Sequence, residues 1–349
     1  MNRNECNLGD YFEPIPLKGG FSMDGYWVWC GSVILGEDGN YHMFASRWKK
    51  DLPMHPGWGL ASEIVRAVSK TPEGPYVFQE VVLTSRGAQY WDGRSVHNPH
   101  ITKYKDEYIL FYMGTTYPFD DVYPGEHIDV HNYRFISARS NKRIGIATSK
   151  SVFGPWERLD APILNTRPDK FDNHLISNPA PCINEDGSCL LVYKARNYKN
   201  PPYNNGELHG LMALGVAYAP HYKGPYKPLT DKPLFDEKEH NVEDPFIWRN
   251  DKGYSMIAKD MHGNICGEKG AGVFASSVDG VNWSLKVGHK AFSRNLKWED
   301  GKNRLMGNMD RPFLLFNGDE ATHLFVATSD GTDSFMNAKN TYNLAIPLK

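Results

Sequence analysis

A repeated phrase is the feature of this 349-residue sequence that most limits its fold. Four copies open with two residues and a proline, then continue as a short strand, a polar turn and an apolar-aromatic strand; they cover residues 97–115, 177–196, 243–261 and 310–330. A fifth copy, which lacks the proline, covers residues 29–48. Each copy has the pattern of a β-hairpin in which Gly or Asp supplies the turn.

A second phrase follows most copies and adds two strands to each. It consists of a small-residue strand, a Gly-Pro or Asp-Gly turn and an aromatic residue that begins a last strand, as in residues 144–159. The prolines of the first phrase lie about 66 to 80 residues apart, the scale of a four-stranded blade with long connections. Helical periodicity is nearly absent.

These patterns predict an all-β fold, a five-bladed β-propeller with four-stranded antiparallel blades. We expect residues 1–349 to form a single domain whose ring is closed by the segment before Trp27. A β-sandwich is the alternative, but it does not explain five copies of one two-phrase unit.

Composition narrows the classes of partner. The formal net charge of −2 gives no basic field for nucleic acid, and the apolar runs are too short to cross a membrane. Aromatic residues make up 13% of the chain, which suits flat platforms for sugar rings and favours a carbohydrate partner. The N-terminus has no apolar stretch typical of a signal peptide, so the compartment stays open.

The first strand of each propeller blade lines the central channel, so the two residues before each proline should meet at its mouth. These residues are Trp29, Cys30, His97, Asn98, Ser177, Asn178, Glu243, Asp244, Asp310 and Arg311. The ends of the second strands add Arg47, Lys194, Arg196 and Lys259. A convergence of carboxylates, amides, imidazole and cations in a concave place predicts an active site.

At these residues the sequence resembles the five-bladed propeller glycoside hydrolases, the broad set that includes families 43, 62, 32, 68, 117 and 130. In that group the reactive carboxylates commonly stand one or two residues before a blade-opening proline, as Glu243, Asp244 and Asp310 do here. The resemblance is to a divergent member, because Cys30 stands where family 43 has its base, and Asn98 and Asn178 replace acids on the next blades.

The resemblance implies a glycosidase that uses two groups for acid/base catalysis. Cleavage of a glycosidic bond needs one carboxylic acid to protonate the leaving oxygen and a second carboxylate to activate water or attack the anomeric carbon. We expect Glu243 to be the acid, its pKa raised by the neighbouring Asp244, and Asp310 to be the base or nucleophile. Asp24, from a loop, and His97 are further catalytic candidates, although a turn role would also explain Asp24.

Nine residues are candidates for substrate binding: Trp29, Arg47, Asp92, Asn98, Asn178, Arg196, Asp244, Lys259 and Arg311. The cationic members could hold an anionic sugar, or could merely pair with the carboxylates. The long insertions at residues 117–141 and 197–210 would wall one end of the channel into a pocket, which favours release of terminal sugars. No cofactor or metal is predicted to be required, although the resemblance leaves room for a structural calcium ion in the channel.

The predicted function is therefore a glycoside hydrolase that releases a terminal sugar, with an anionic or a furanosidic sugar as options, from a polysaccharide or oligosaccharide. Two alternatives stay open. A carbohydrate-binding propeller without catalysis is favoured by the three blade openings that carry no carboxylate. A glycoside phosphorylase would use the basic residues to hold phosphate.

Overall fold

The computed structural model describes residues 5–199 and 209–349 and confirms the predicted five-bladed β-propeller. The first blade contains β1 (Tyr26–Leu35), β2 (Tyr41–Lys49), β3 (Glu63–Ser69) and β4 (Val77–Leu83). The second contains β5 (Ser95–Tyr104), β6 (Glu107–Thr115), β7 (Arg143–Ser149) and β8 (Glu157–Arg158). The third contains β9 (Leu175–Ile183), β10 (Cys189–Arg196), β11 (Ala213–Ala219) and β12 (Lys227–Pro228).

The fourth blade contains β13 (Val242–Asn250), β14 (Gly253–Asp260), β15 (Gly272–Ser277) and β16 (Ser284–Leu285). A two-stranded hairpin, β17 (Asn295–Lys297) and β18 (Asn303–Leu305), leads to the fifth blade. That blade contains β19 (Asp310–Asn317), β20 (Glu320–Ser329) and β21 (Thr341–Pro347). All neighbouring strands within the blades are antiparallel.

The N-terminal segment lies along the outer edge of the fifth blade. Antiparallel bridges join Phe12 to Leu348 and Phe21 to Asn343, so this segment continues the sheet beyond β21. A short 3₁₀ helix, Glu5–Tyr11, precedes it. The first and last parts of the described chain are therefore joined by backbone pairing.

Every first strand has a bulge at the same place, and the bulge explains the repeated proline phrase. The residue before the proline, or before Gly31 in the first blade, has a left-handed backbone with φ between 50° and 57°; these residues are Cys30, Asn98, Asn178, Asp244 and Arg311. Pairing with the second strand shifts register there in all five blades. A left-handed backbone is unfavourable for a residue with a side chain, so the surrounding contacts must stabilise it.

Those five residues join the blades by hydrogen bonds across the channel, and we call them the channel belt. The Cys30 thiol donates to Asn98 Oδ1, and Asn98 Nδ2 donates to Asn178 Oδ1 at 2.7 Å. Asn178 Nδ2 donates to Asp244 Oδ1 at 2.6 Å, and the backbone N–H of Arg311 donates to Asp244 Oδ2 at 3.1 Å. The belt therefore links each blade to the next, from the first to the fifth.

Two helices cover one end of the propeller. Helix α1 (Met54–Ala61) connects β2 to β3, and helix α2 (Tyr133–Ser140) lies in the insertion between β6 and β7. Leu60 of α1 and Phe135 of α2 belong to one buried apolar cluster, which holds the helices together. Among the described residues, no helix combines the length and the apolar character needed to cross a membrane.

The belt predicts a stability effect at Asn178. Asn178→Ala removes two buried hydrogen bonds and places alanine in a left-handed backbone, so we expect the free energy of unfolding in urea to fall by about 2–4 kcal/mol. Asn178→Gly should lose less, because glycine adopts positive φ freely. Asn295→Ala, at an exposed asparagine, is the control. Equal stability of Asn178→Ala and the control would contradict a structural role for the belt.

Candidate active site

A chain of alternating charges runs across three blades at the helix-covered end. Lys194 of the third blade pairs with Glu243 of the fourth. Lys259, opposite Glu243 on β14, pairs with Glu243 Oε2 at 3.1 Å and reaches Asp310 Oδ1 of the fifth blade at 2.9 Å. We call Lys194, Glu243, Lys259 and Asp310 the ion-pair chain. It brings together the two carboxylates that the sequence analysis placed at the centre of catalysis.

Glu243 is held as a carboxylate. Burial acts to raise its pKa, but the ammonium groups of Lys194 and Lys259 outweigh burial and hold the pKa well below its usual value. The side chain is 13% exposed, so it is not sealed from the mouth. This direction is the opposite of the rise expected from Asp244, because two cations lie against this carboxylate.

The pKa of Asp310 is raised, which is the shift that was expected for Glu243. Burial raises its pKa to about 6; Lys259 opposes the rise, while the nearby carboxylates of Asp244 and Glu243 add to it. The two neighbouring carboxyl groups thus have pKa values displaced in opposite directions. Such a divergence separates the group that carries a proton from the group that stays ionised.

Lys259 serves the ion-pair chain rather than a substrate. Its ammonium nitrogen lies 3.1 Å from Glu243, 3.6 Å from Asp244 and 2.9 Å from Asp310. Burial alone would lower its pKa, but the three carboxylates raise it well above its usual value. The prediction that Lys259 binds substrate is corrected accordingly: its donors are already engaged by carboxylates within the protein.

The channel belt contains four of the residues predicted to bind substrate: Asn98, Asn178, Asp244 and Arg311. All four are buried; the side chains of Asn98, Asn178 and Asp244 bond to one another, and Arg311 joins them through its backbone N–H. The guanidinium of Arg311 donates from Nη2 to the carbonyl of Pro179 at 3.3 Å. The left-handed backbone directs the second residue of each pair into the belt, which the sequence pattern alone could not show.

The belt also fits poorly with a calcium ion in the channel. Calcium takes six to eight oxygen ligands. Both carboxylate oxygens of Asp244 and the amide oxygens of Asn98 and Asn178 already accept hydrogen bonds, and Arg311 adds a positive charge. Among residues 5–199 and 209–349, no group of three or more His, Cys, Asp or Glu side chains is arranged to hold a metal ion.

His97 and Trp29 lie beside the ion-pair chain in a cluster with Trp48 and Trp58, which we call the aromatic wall. His97 bonds through Nδ1 to the Ser62 hydroxyl at 2.9 Å and lies between the rings of Trp48 and Trp58. Burial, then the charges of Lys142 and Arg311, hold the pKa of His97 well below its usual range, a direction that favours the neutral imidazole. Trp29 is only 6% exposed, which leaves little of its ring for a sugar.

Asp92 is a structural carboxylate. It accepts hydrogen bonds from Arg86 Nε and the Tyr112 hydroxyl, each at 2.7 Å, and it is fully buried. Asp172 repeats the arrangement in the third blade with its own arginine and tyrosine. Both aspartates stand six residues before a belt asparagine, so this spacing is the sequence signal that could have identified their role. The predicted substrate contact of Asp92 is therefore corrected.

Arg47 and Asp24 also lie outside the ion-pair chain. Arg47 Nε donates to Glu63 at 2.8 Å, and its guanidinium lies between the rings of Tyr26 and Phe78, so it stabilises the first blade. Asp24 is exposed on the turn before β1 and forms no hydrogen bond or ion pair with the described residues. The structure gives neither residue the contacts that the sequence prediction required.

The sequence analysis missed Lys142, which directly precedes β7. Its ammonium nitrogen lies 4.1 Å from the centroid of the Trp58 ring, and the charges of Lys194, Arg139 and Arg196 act on it. Lys142 lies outside the repeated phrases, at the end of the insertion that contains α2, so the repeats gave no signal for it. The predicted binding residue Arg196 does lie in this basic region, at the end of β10.

A large groove lies elsewhere in the fold. It has a volume of 1690 Å³ and is lined by hairpin turns, including those at Asn184–Asp186 and Asn317–Glu320, at the ends of the first strands far from Glu243 and Asp310. Size alone would therefore point away from the convergence of charged groups. We place the candidate site at the ion-pair chain, because the paired carboxyl groups lie there.

No protein-family model matches this sequence, and no curated protein matches it either. Solved structures do. A family 117 glycoside hydrolase of the marine bacterium Zobellia galactanivorans is 16% identical with a TM-score of 0.65, over 99% of this chain and 90% of that one. A thermostable family 43 glycoside hydrolase is 14% identical with a TM-score of 0.55, over 96% and 91% of the two chains.

A Bacillus subtilis arabinanase is 12% identical with a TM-score of 0.55, over 94% of this chain and 95% of that one. At these identities the likeness concerns the fold. The structural neighbours of this chain are five-bladed β-propeller glycoside hydrolases, and the chain shares their fold over nearly its whole length.

Proposed function

We propose that the chain is a glycoside hydrolase that releases a terminal sugar from an oligosaccharide or polysaccharide. The observation that carries the proposal is the pair Glu243 and Asp310, whose pKa values are displaced in opposite directions at one end of a propeller shared with glycoside hydrolases. In this scheme Asp310 donates the proton to the leaving oxygen. Glu243 supplies the ionised carboxylate, a reversal of the roles expected from the sequence.

The distances support a joint action of the two carboxyl groups. One oxygen of each lies on the same Lys259 nitrogen, at 3.1 Å and 2.9 Å, so those two oxygens can be no more than about 6 Å apart. Glycosidases need two carboxyl groups within about 5 to 9.5 Å to act on one bond. Both groups can thus address a single glycosidic linkage.

The covered end supports release of terminal sugars. The insertion at residues 117–141 contributes α2, which packs on α1 above the second blade and so walls one side of the mouth. The other insertion, residues 197–210, lies mostly outside the described residues. A wall on one side of the mouth favours a pocket that takes a chain end over an open groove that takes a chain interior.

The first prediction from the proposed function concerns the two carboxyl groups. Glu243→Gln and Asp310→Asn keep the side-chain shape but remove the charge or the transferable proton, so each should lower kcat on a hydrolysed oligosaccharide by about 10²–10⁴-fold. Glu63→Gln, at a carboxylate that pairs with Arg47 away from the site, is the matched control and should keep activity. Turnover by both site variants at the wild-type rate would refute the assignment. Sugar binding by the wild type without any turnover would support the non-catalytic alternative.

The second prediction concerns pH. A general acid must be protonated, so kcat/KM should fall as pH rises through the Asp310 pKa of about 6, while Glu243 stays ionised across that range. Lys259→Met removes a positive charge that lowers the pKa of Asp310, and the descending limb should therefore move to higher pH. Lys252→Met, at the exposed far end of the same strand pair, should leave it in place. An unmoved limb in Lys259→Met would exclude Asp310 as the titrating acid.

A glycoside phosphorylase is the second candidate, favoured by the lysines near Glu243, since cations attract phosphate. The two reactions differ in their need for phosphate. Turnover in phosphate-free buffer with release of free sugar supports hydrolysis. Turnover that requires phosphate and yields a sugar phosphate would replace the hydrolase proposal with the phosphorylase.

A further inference from the structure

Lys142 is a buried lysine whose side-chain nitrogen has no counter-ion in the part of the chain that the structure describes. The residue is 4% exposed, and its ammonium lies over the Trp58 ring. Within residues 5–199 and 209–349, that ammonium forms no hydrogen bond to an oxygen acceptor and no ion pair with a carboxylate. The aromatic ring offers only a weak substitute for an anion.

Burial and the neighbouring cations disfavour the charged form of Lys142, and a bound anion would favour it. Burial lowers the pKa of Lys142 well below its usual value, and the charges of Lys194, Arg139 and Arg196 lower it further. Glu243 is the carboxylate that opposes them, but it already pairs with Lys194 and Lys259. Glu243 therefore cannot neutralise Lys142 as well.

A buried charge is costly unless it is paired, and a lysine retained in such a place can be paired by a ligand. We infer that Lys142 forms a subsite for a carboxylate carried by the sugar, so that the substrate is a uronic acid residue at a chain end. This inference rests on the proposed function and deepens it, because it names the chemical class of the substrate.

The position of Lys142 relates the subsite to the sugar that is cleaved. Lys142 acts electrostatically on His97, which lies in the aromatic wall, and it interacts with Glu243 in the ion-pair chain. An anion bound at Lys142 would thus lie on the side of Glu243, one of the two carboxyl groups proposed for catalysis. A carboxylate of the terminal sugar meets this condition, since it is attached to the ring whose bond is broken.

The surroundings of the subsite contain a small cavity with apolar and polar lining residues. A small cavity of 30 Å³ lies nearby, and Arg139, His174 and His209 are among the residues that line it. His174 is buried, and its Nδ1 has no hydrogen-bond partner. An oxygen of a bound acidic sugar, or a water beside it, would satisfy this nitrogen.

Calorimetry at low salt with six ligands, namely two uronates, their methyl esters and the two corresponding neutral sugars, tests the inference on the full chain. We expect D-galacturonate or D-glucuronate to bind the wild type with a Kd at least tenfold lower than that of its methyl ester, which keeps the ring but lacks the charge. The neutral sugars D-galactose and D-glucose should bind as weakly as the esters. Lys142→Met keeps the apolar stem against Trp58. In this variant the acid and its ester should bind with about equal Kd.

Lys150→Met is the matched control. Lys142 and Lys150 flank the same strand, β7, but Lys150 is exposed and pairs with Asp106 at 3.0 Å away from the mouth. This variant should keep the tenfold preference. If Lys142→Met fails to fold, the comparison of acid and ester on the wild type decides the inference by itself.

Four results would overturn the inference: equal affinity for acid and ester, a preference that survives in Lys142→Met, Lys142-dependent binding of inorganic phosphate without binding of either uronate, or release of a neutral terminal sugar by the wild type. Failure here is distinguishable from failure of the proposed function, because binding is measured directly while hydrolysis is judged by the turnover of Glu243→Gln and Asp310→Asn. Release of a neutral sugar by the wild type would contradict the uronate subsite but would agree with the proposed hydrolase activity.

Discussion

The hydrogen-bonded belt across the channel is the constraint on which the other features depend. Each blade contributes one residue in a left-handed backbone, and four hydrogen bonds carry the contact from Cys30 through to Arg311. A propeller blade has few ways to hold its neighbour at a fixed angle near the axis, where side chains are crowded. The belt meets that need with polar groups that satisfy one another, and its bulges set the direction of the residue that precedes each belt position.

The ion-pair chain is built on top of that arrangement. Ser177, Glu243 and Asp310 precede belt residues, and the last two are turned toward the cations of adjoining second strands. Buried charges are costly, so an alternating row of two lysines and two acids is tolerable only because each charge has a partner. The row is not symmetric: Glu243 has two lysines, while Asp310 has one and lies near two other carboxylates. This asymmetry separates the pKa values of two acids that a sequence pattern treats alike.

The repeats predicted the architecture because the proline phrase marks the bulge that recurs in the first strand of every blade. They also led to Glu243 and Asp310. They could not tell which residue of each pair faces the belt, because that depends on the sign of φ at Asn98, Asn178 and Asp244. The pKa shift of Glu243 runs against the sequence-based expectation for a related reason: its decisive partner is Lys194, which comes from another blade and a distant part of the sequence. Lys142, outside every repeat, could not be identified from periodicity.

The belt has a further consequence for how a sugar enters and leaves the proposed site. Because four side chains and the backbone N–H of Arg311 bond to one another across the channel, the belt forms a floor beneath the space above it. A sugar that reaches the ion-pair chain has to leave by the opening through which it came. In the proposed reaction, a released sugar therefore occupies the same space that the next chain end needs. Its departure and the arrival of new substrate exclude each other, so an enzyme built this way would be slowed by its own product.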